Sequence, residues 1–172
     1  MLIGFSGPSG VGKTTAANYL ITRRAFERVR FAGPLKSMIW PLLQPYGDAA
    51  EWIDGALKET VHPILGQTPR HMMRTLGTEW GRQCMGANFW CDLARPELTR
   101  GGDIVVDDVR FQNEVDLIRE LGGTVVQIRP KVMTHRTAVH VSEQGCEFDR
   151  FIYNDGTVDQ FHHSLALMLM SR

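Results

Sequence analysis

The chain has 172 residues, 43% of them hydrophobic, and its 19 basic and 19 acidic residues leave no formal net charge. This length and apolar content predict a single domain with one core, whereas the lack of a basic block argues against a nucleic-acid polymer as a partner. The three cysteines lack CxxC spacing, which argues against a zinc site. We expect no leader, and no apolar stretch approaches the roughly 20 residues of a membrane span. The sequence therefore predicts a cytoplasmic protein without a membrane partner.

The first predicted element is a short apolar strand at residues 2–6, which runs into the glycine-rich sequence GPSGVGKT and then a helix. The spacing GxxxxGKT is that of a phosphate-binding loop, or P-loop. Its N–H groups and the dipole of the helix attract anions. Lys13 can reach the β- and γ-phosphates, and the Thr14 hydroxyl can bind Mg²⁺. The sequence therefore predicts a nucleoside triphosphate site, and the alternative is a glycine-rich turn before an ordinary helix. The predicted loop contacts are Gly7, Ser9, Gly10, Val11, Gly12, Lys13 and Thr14.

Four more strand candidates alternate with amphipathic helices, at residues 29–32, 104–107, 124–128 and 148–153. This alternation predicts an α/β fold of three layers, with a five-stranded, mostly parallel sheet and helices on both faces. Residues 33–100 contain no convincing strand and are predicted to form three or four helices. In a doubly wound sheet such an insertion lies over the carboxyl ends of the strands, where ligands bind, so we expect it to hold the acceptor in a small kinase.

The insertion carries a cluster of charged and aromatic residues in the sequence TPRHMMRTLGTEWGR. Arg70 and Arg74 are four residues apart and share one face of a helix, where two guanidinium groups could bind a monophosphate. Trp80 could stack on a base and Glu79 could accept hydrogen bonds from its edge. The alternative is that the charges are solvated and that Trp80 belongs to the core.

Two carboxylates, Asp107 and Asp108, follow the third predicted strand. In P-loop proteins a carboxylate at this place holds Mg²⁺ beside the P-loop threonine. Asp107 continues the strand and is the predicted metal ligand, whereas Asp108 faces the other way and could orient the acceptor. Arg110 is placed to bind an anionic phosphate. The alternative is an aspartate pair that caps the next helix, with Arg110 in a surface ion pair.

The segment at residues 129–147, between the last two strands, is predicted to close like a lid over the donor phosphates and exclude water. Arg136 is its candidate catalytic arginine, and the alternative is a plain surface residue. Asn154 follows the last strand and either lines an adenine pocket or belongs to a turn into the final helix.

Five motifs together resemble the deoxynucleoside monophosphate kinases of bacteriophages: FAGPLK at 31–36, TPRHMMRTLGTEWGR at 68–82, DDVRFQNE at 107–114, HVSE at 140–143 and YNDGT at 153–157. The resemblance implies an adenylate-kinase-like fold and transfer of the γ-phosphate of ATP to a deoxynucleoside monophosphate with Mg²⁺, in the host cytoplasm if the chain is phage-encoded. It implies that Thr15 joins the loop residues on ATP and that Lys36, Arg70 and Arg110 lie near the acceptor. Gly33 departs from the acidic residue of FADPLK, a change that would alter acceptor preference if that carboxylate contacts sugar or base.

The same donor site would also suit another acceptor, such as dephospho-coenzyme A or a small alcohol. An alcohol would need a general base, for which Asp108 is the candidate. A nucleotide-dependent switch is disfavoured because the chain has neither an NKxD nor a DxxG motif, and a non-catalytic relic is disfavoured by the intact Lys13, Thr14 and aspartate pair. The sequence leaves open which base is accepted and whether the chain forms a homodimer.

Overall fold

The computed structural model describes residues 1–130 and 146–170, and their strands form one parallel sheet in the order β2-β3-β1-β4-β5. The sheet confirms the predicted α/β fold. The strands are β1 (Leu2–Ser6), β2 (Glu27–Val29), β3 (Ile104–Val106), β4 (Thr124–Arg129) and β5 (Arg150–Tyr153). The α-helices of these residues are α1 (Lys13–Arg24), α2 (Gly33–Leu43), α3 (Ala49–Ile53), α4 (Pro69–Thr75), α5 (Phe89–Leu98), α6 (Gln112–Glu120) and α7 (Val158–Met170). None of the helices in these ranges is both long and apolar enough to cross a membrane.

The chain divides into two compact units. The first contains Met1–Phe31 and Ala94–Arg172, and the second contains Ala32–Leu93, which is most of the stretch predicted to be an insertion. All five strands belong to the first unit. The second unit is described in full and contains helices without a strand.

The sheet of the first unit is covered on both faces, as the continuous apolar sequences of β1 and β3 require. On one face, Ile3 and Phe5 join a core that includes buried residues of α1 and α7. On the other face α6 packs so closely that a Cβ on Gly4 would lie 2.6 Å from Cδ1 of Ile118. Side chains alternate between the faces of a strand, so this glycine gives α6 its place against β1.

The second strand lies earlier than the prediction at residues 29–32. β2 pairs with β3 in parallel, with Glu27 beside Ile104 and Val29 beside Val106. After Val29 the backbone leaves the ladder, because the Phe31 N–H donates to a side chain, Asp108 Oδ1, at 3.1 Å. Ala32 then serves as the N-cap of α2. The sequence pattern missed this exit because it depends on a carboxylate from a distant part of the chain.

The second unit is built around an aromatic and aliphatic core. Trp90 is its central member, and the other buried members are Leu35, Ile39, Leu43, Ala49, Trp52 and Ile53. A π-helix, Leu76–Met85, continues directly from α4. Its wider turn is fixed by Trp90, whose Nε1 donates to the Gly77 carbonyl at 2.8 Å and whose ring lies against Gly81.

We expect Gly81→Ala to destabilise the second unit, because the new Cβ would lie 2.4 Å from Nε1 of Trp90. Overpacking of this kind costs about 1–3 kcal/mol. Gly77→Ala is the matched control, since its nearest atom is the movable Cδ1 of Leu35 at 2.9 Å and alanine favours a helix over glycine by about 1 kcal/mol. Urea unfolding of the two variants should show a clear loss for Gly81→Ala alone, and equal losses would contradict the assigned role of Trp90.

Candidate functional site

The P-loop links β1 to α1 and has the backbone that its glycines predict. Gly7 and Gly12 have φ angles of 132° and 105°, a region that side chains with a Cβ rarely adopt. Space is also restricted, because a Cβ on Gly7 would lie 2.5 Å from the Ile128 carbonyl. Ser9 and Gly10 are exposed at the tip, while the Val11 side chain is buried in the core below. Val11 therefore serves the loop through its backbone.

The Lys13 ammonium is held by its own loop. Its Nζ donates to the carbonyls of Gly7 and Pro8, both at 2.7 Å. Lys13, Thr14 and Thr15 occupy the first turn of α1, so the ammonium and both hydroxyls lie at the positive end of the helix dipole. This arrangement can receive the phosphates of a nucleotide.

Asp107 is the most constrained charged residue near the loop. Its side chain is only 2% exposed, and it accepts hydrogen bonds from Arg30 Nε at 2.8 Å and Arg30 Nη2 at 3.1 Å. Arg28 Nε lies 3.5 Å from the second carboxylate oxygen, and Thr14 also favours the ionised form of this carboxylate. Burial alone would raise the pKa of Asp107, but Arg30, Arg28 and Thr14 together hold this pKa below its ordinary value.

Arg28 and Arg30 are not among the predicted site residues. The register of β2 and β3 places Arg28 beside Val105, and two residues on, Arg30 falls opposite Asp107. The signal in the sequence was that Arg28 and Arg30 stand two residues apart at a strand candidate, and so point to the same face of the sheet. It was obscured because the strand was predicted to begin at residue 29, one residue after Arg28.

Thr14 and Asp107 could hold a metal ion together. A hydroxyl and a carboxylate supply the oxygen ligands that Mg²⁺ takes from proteins, which usually provide one or two carboxylates and leave the other positions to phosphate and water. No group of three or more His, Cys, Asp or Glu side chains at metal-binding distance occurs within 1–130 and 146–170. The donor set therefore fits a cation that arrives with phosphates.

Asp108 and Arg110 have contacts of their own. Asp108 Oδ1 accepts the Phe31 N–H, which fixes the end of the Met1–Phe31 segment. Arg110 presents an exposed side chain, while its N–H donates to Glu114 Oε2 at 2.7 Å. The buried Glu114 also accepts the Phe111 N–H at 3.1 Å, so this glutamate takes part in a capping box at the start of α6.

Three of the cationic side chains predicted near the acceptor, Lys36, Arg70 and Arg74, have carboxylate or imidazole partners in the second unit. Lys36 Nζ donates to both oxygens of Asp54, at 2.6 and 2.8 Å. Arg70 pairs with Glu59. Arg74 Nη2 lies 3.3 Å from Nδ1 of His71. Arg70 and Arg74 both lie on α4.

A cavity of about 350 Å³ opens between α4 and the π-helix. It is lined by His71, Met72, Thr75, Leu76 and Trp80. The Trp80 ring packs edge-on against Phe89 at 5.4 Å between centroids, so Trp80 both belongs to the core and forms a wall of the cavity. Glu79 is exposed on the preceding position. The cavity is large enough for one planar ring system.

Asn154 contacts the P-loop directly. Its Nδ2 donates to the Val11 carbonyl at 2.9 Å. A second cavity, of about 610 Å³, opens at the start of α7 and is lined by Asp155, Gly156, Asp159, Gln160, His163 and Ser164. Arg136 and the HVSE motif fall within residues 131–145, outside the described residues, so the role of the segment at 129–147 stays a prediction.

Comparison with known proteins gives a consistent result. A family model described as deoxynucleotide monophosphate kinase matches residues 58–165. A protein of Acanthamoeba polyphaga mimivirus, whose name places it among the deoxynucleotide monophosphate kinases, is 34% identical over 190 residues, which cover 96% of this chain and 94% of that protein. The deoxynucleoside-5'-monophosphate kinase of Escherichia phage T5 is 31% identical over 86 residues, or 49% of this chain and 34% of the phage protein.

A solved structure shares the fold. A dephospho-CoA kinase from Campylobacter jejuni matches with a TM-score of 0.51 and 11% sequence identity, over 98% of this chain and 95% of that one. At this identity the likeness supports the architecture of the chain and carries no information about its acceptor.

We expect Asp107→Asn to lower the free energy of unfolding at pH 7, measured without metal or nucleotide. The change leaves two arginines without their counter-charge; because these are about a quarter exposed, we expect a cost of about 1–3 kcal/mol, below that of a fully buried pair. Asp116→Asn, on the exposed side of α6, is the control and should cost little.

The same pair of proteins should differ with pH. The pKa of Asp107 is lowered in the folded state, so its stabilisation is complete above the unfolded value of about 3.9 and is lost as the pH falls through the lowered pKa. The stability gap between wild type and Asp107→Asn should stay constant from pH 7 to 5 and narrow below about pH 4. A gap that closes already near pH 6 would contradict the ion pair.

Proposed function

The chain belongs to the deoxynucleotide monophosphate kinase family, and from this premise we propose that it transfers the γ-phosphate of ATP to a deoxynucleoside monophosphate, giving the diphosphate and ADP. The observation that carries the proposal is that Lys13, Thr14 and Asp107 lie together at an intact P-loop. The family match to residues 58–165 supports it. The P-loop supplies the donor half of the reaction. The matched residues include α4, the π-helix and Asp107 to Arg110, where the acceptor determinants are predicted.

The donor half is derived from the loop. The N–H groups of the glycine-rich turn can bind phosphate oxygens, and the Lys13 ammonium can exchange the carbonyls of Gly7 and Pro8 for the β- and γ-phosphates. When bound, Mg²⁺ would neutralise part of the phosphate charge. Thr14 and Asp107 would hold this ion, and Arg30 fixes the direction and the ionised state of the Asp107 carboxylate.

The acceptor half rests on charge and shape. Lys36, Arg70, Arg74 and Arg110 are the proposed ligands of the acceptor phosphate, and Trp80 and Glu79 those of the base. Lys36 and Arg70 would release Asp54 and Glu59 when a phosphate arrives, because a dianion offers them the stronger interaction. The cavity beside Trp80 has the apolar wall that a stacked base requires.

A phosphate acceptor needs no general base, because its oxygen is already ionised. Catalysis then consists of positioning and charge neutralisation. Asp108 fits this scheme, since its carboxylate already accepts the Phe31 N–H and can serve to position groups near the acceptor. An alcohol acceptor would instead require Asp108 as a base.

The function is tested by incubating the full chain with ATP, Mg²⁺ and one acceptor at a time: the four deoxynucleoside monophosphates, their ribose counterparts, dephospho-coenzyme A and glycerol. ADP release is followed with a coupled assay, and the products are identified by chromatography. We expect diphosphates of one or more deoxynucleotides. ATP hydrolysis that does not depend on any acceptor, or phosphorylation of dephospho-coenzyme A alone, would overturn the proposal.

We expect Lys13→Ala to lower kcat/KM by about 10²–10³-fold, as loss of one charge-stabilising donor does elsewhere. The loss of turnover should exceed any change in melting temperature, because the ammonium donates hydrogen bonds to two carbonyls of its own loop. Arg23→Ala, at the exposed end of the same helix, is the control and should keep wild-type turnover. Near-normal turnover of Lys13→Ala would remove the P-loop from the reaction.

Trp80→Ala should raise the KM for the deoxynucleoside monophosphate by about 5- to 100-fold, the range that loss of one base–aromatic stack produces. The KM for ATP should stay the same. Trp80→Phe keeps an aromatic wall and should restore most of the affinity, whereas Trp40→Ala, an exposed tryptophan of α2, should change neither constant. Equal effects on both substrates would assign Trp80 to the core alone.

A further inference from the structure

Asn154 joins two distant parts of the first unit. Its backbone N–H donates to the Arg129 carbonyl at 2.8 Å, one step beyond the ladder of β4 and β5. Its side-chain amide donates to the Val11 carbonyl at 2.9 Å across 143 residues of sequence. The sheet therefore fixes the backbone of Asn154, and Asn154 in turn holds the P-loop.

The P-loop is shaped to receive this amide. Gly12 lies so close that a Cβ there would be 2.5 Å from Nδ2 of Asn154 and 3.5 Å from Phe161. The Val11 side chain is anchored in the core that includes Phe161, and the Val11 N–H has a long bond of 3.4 Å to the Pro8 carbonyl. The short hydrogen bond from the Asn154 amide therefore fixes the orientation of the peptide group between Val11 and Gly12.

The direction of that peptide decides what the loop offers to a ligand. A peptide group is planar and trans, so its carbonyl and its N–H point in opposite directions. When the Val11 carbonyl is held toward Asn154, the Gly12 N–H must point away from Asn154. In a P-loop that N–H is one of the donors that surround the phosphates.

We propose that Asn154 is a positioning residue of the donor site, which orients the Gly12 N–H through the Val11 carbonyl and does not itself read the adenine base. This differs from the adenine-pocket role that the sequence suggests for Asn154. The contact requires a donor at Nδ2, so a side chain of similar shape without a donor cannot replace it. The inference rests on the proposed function only through the ATP site, and its test uses equilibrium binding without turnover.

The test compares ATP with inorganic tripolyphosphate, which presents phosphates without a base. Both dissociation constants are measured by calorimetry in the full chain with Mg²⁺, for wild type, Asn154→Leu and Asn154→Ser. Leucine keeps the branched shape, and serine is too short to reach Val11 and adds no bulk, so it serves if the leucine variant does not fold. We expect both ligands to bind about tenfold more weakly, by the same factor, as fits loss of one orienting hydrogen bond.

Thr157→Ala is the matched control. It removes the hydrogen bond that the Gln160 N–H donates to the Thr157 hydroxyl at 3.3 Å, at the start of α7 and three residues beyond Asn154. It should lower the melting temperature while leaving both dissociation constants unchanged. Weaker ATP binding with unchanged tripolyphosphate binding would show that Asn154 contacts the base and would overturn the proposal. Unchanged binding of both ligands, or the same weakening in Thr157→Ala, would overturn it as well. If the wild-type chain binds ATP but phosphorylates no deoxynucleotide, the proposed function is overturned. The binding test of Asn154 still gives an answer in that case, because it does not require turnover.

Discussion

A carboxylate that is buried at the end of a strand must have partners for its charge, and the arrangement of the donor site follows from how Asp107 obtains them. Arg28 of β2 and Arg30, just beyond the end of β2, pair with it, and Thr14 also favours its ionised form. To supply both arginines, β2 must pair with β3 in one register, since a shift by one residue would turn Arg28 and Arg30 to the other face of the sheet. β3 also pairs with β1, which leads into the P-loop and α1. One ion pair thus couples the pairing of strands to the position of the proposed metal ligand.

The two units meet different physical demands. The first unit holds a rigid phosphate cradle by backbone geometry and by contacts from the sheet, which suits a donor whose phosphates are the same in every reaction cycle. The second unit holds its π-helix by one indole, Trp90, against two glycines. Its cationic side chains have exchangeable carboxylate partners. Such a unit can exchange these contacts for those of a bound anion.

Local patterns predicted the sheet and the loop, whereas contacts between distant residues were missed. Five strand candidates and the P-loop follow from short apolar sequences and from glycine spacing, which act within a few residues. The exit of β2 at Val29, the pair between Arg30 and Asp107 and the bond from Asn154 to Val11 each join residues more than 70 positions apart. The π-helix depends on Trp90, which lies outside it. Composition and the spacing of apolar residues carry no information about contacts between residues that are distant in the sequence. The roles assigned to individual site residues therefore stay predictions.

The way Lys13 is held has a consequence for the kind of anion that would displace its loop contacts. Its ammonium already has two short hydrogen bonds to the loop carbonyls, so a ligand must offer more than those two contacts to displace them. A single orthophosphate or a chloride ion can make few contacts with the loop. A triphosphate provides several at once, along the whole loop and with its metal ion. Replacing these two contacts would therefore favour a ligand with several phosphate groups over a single small anion.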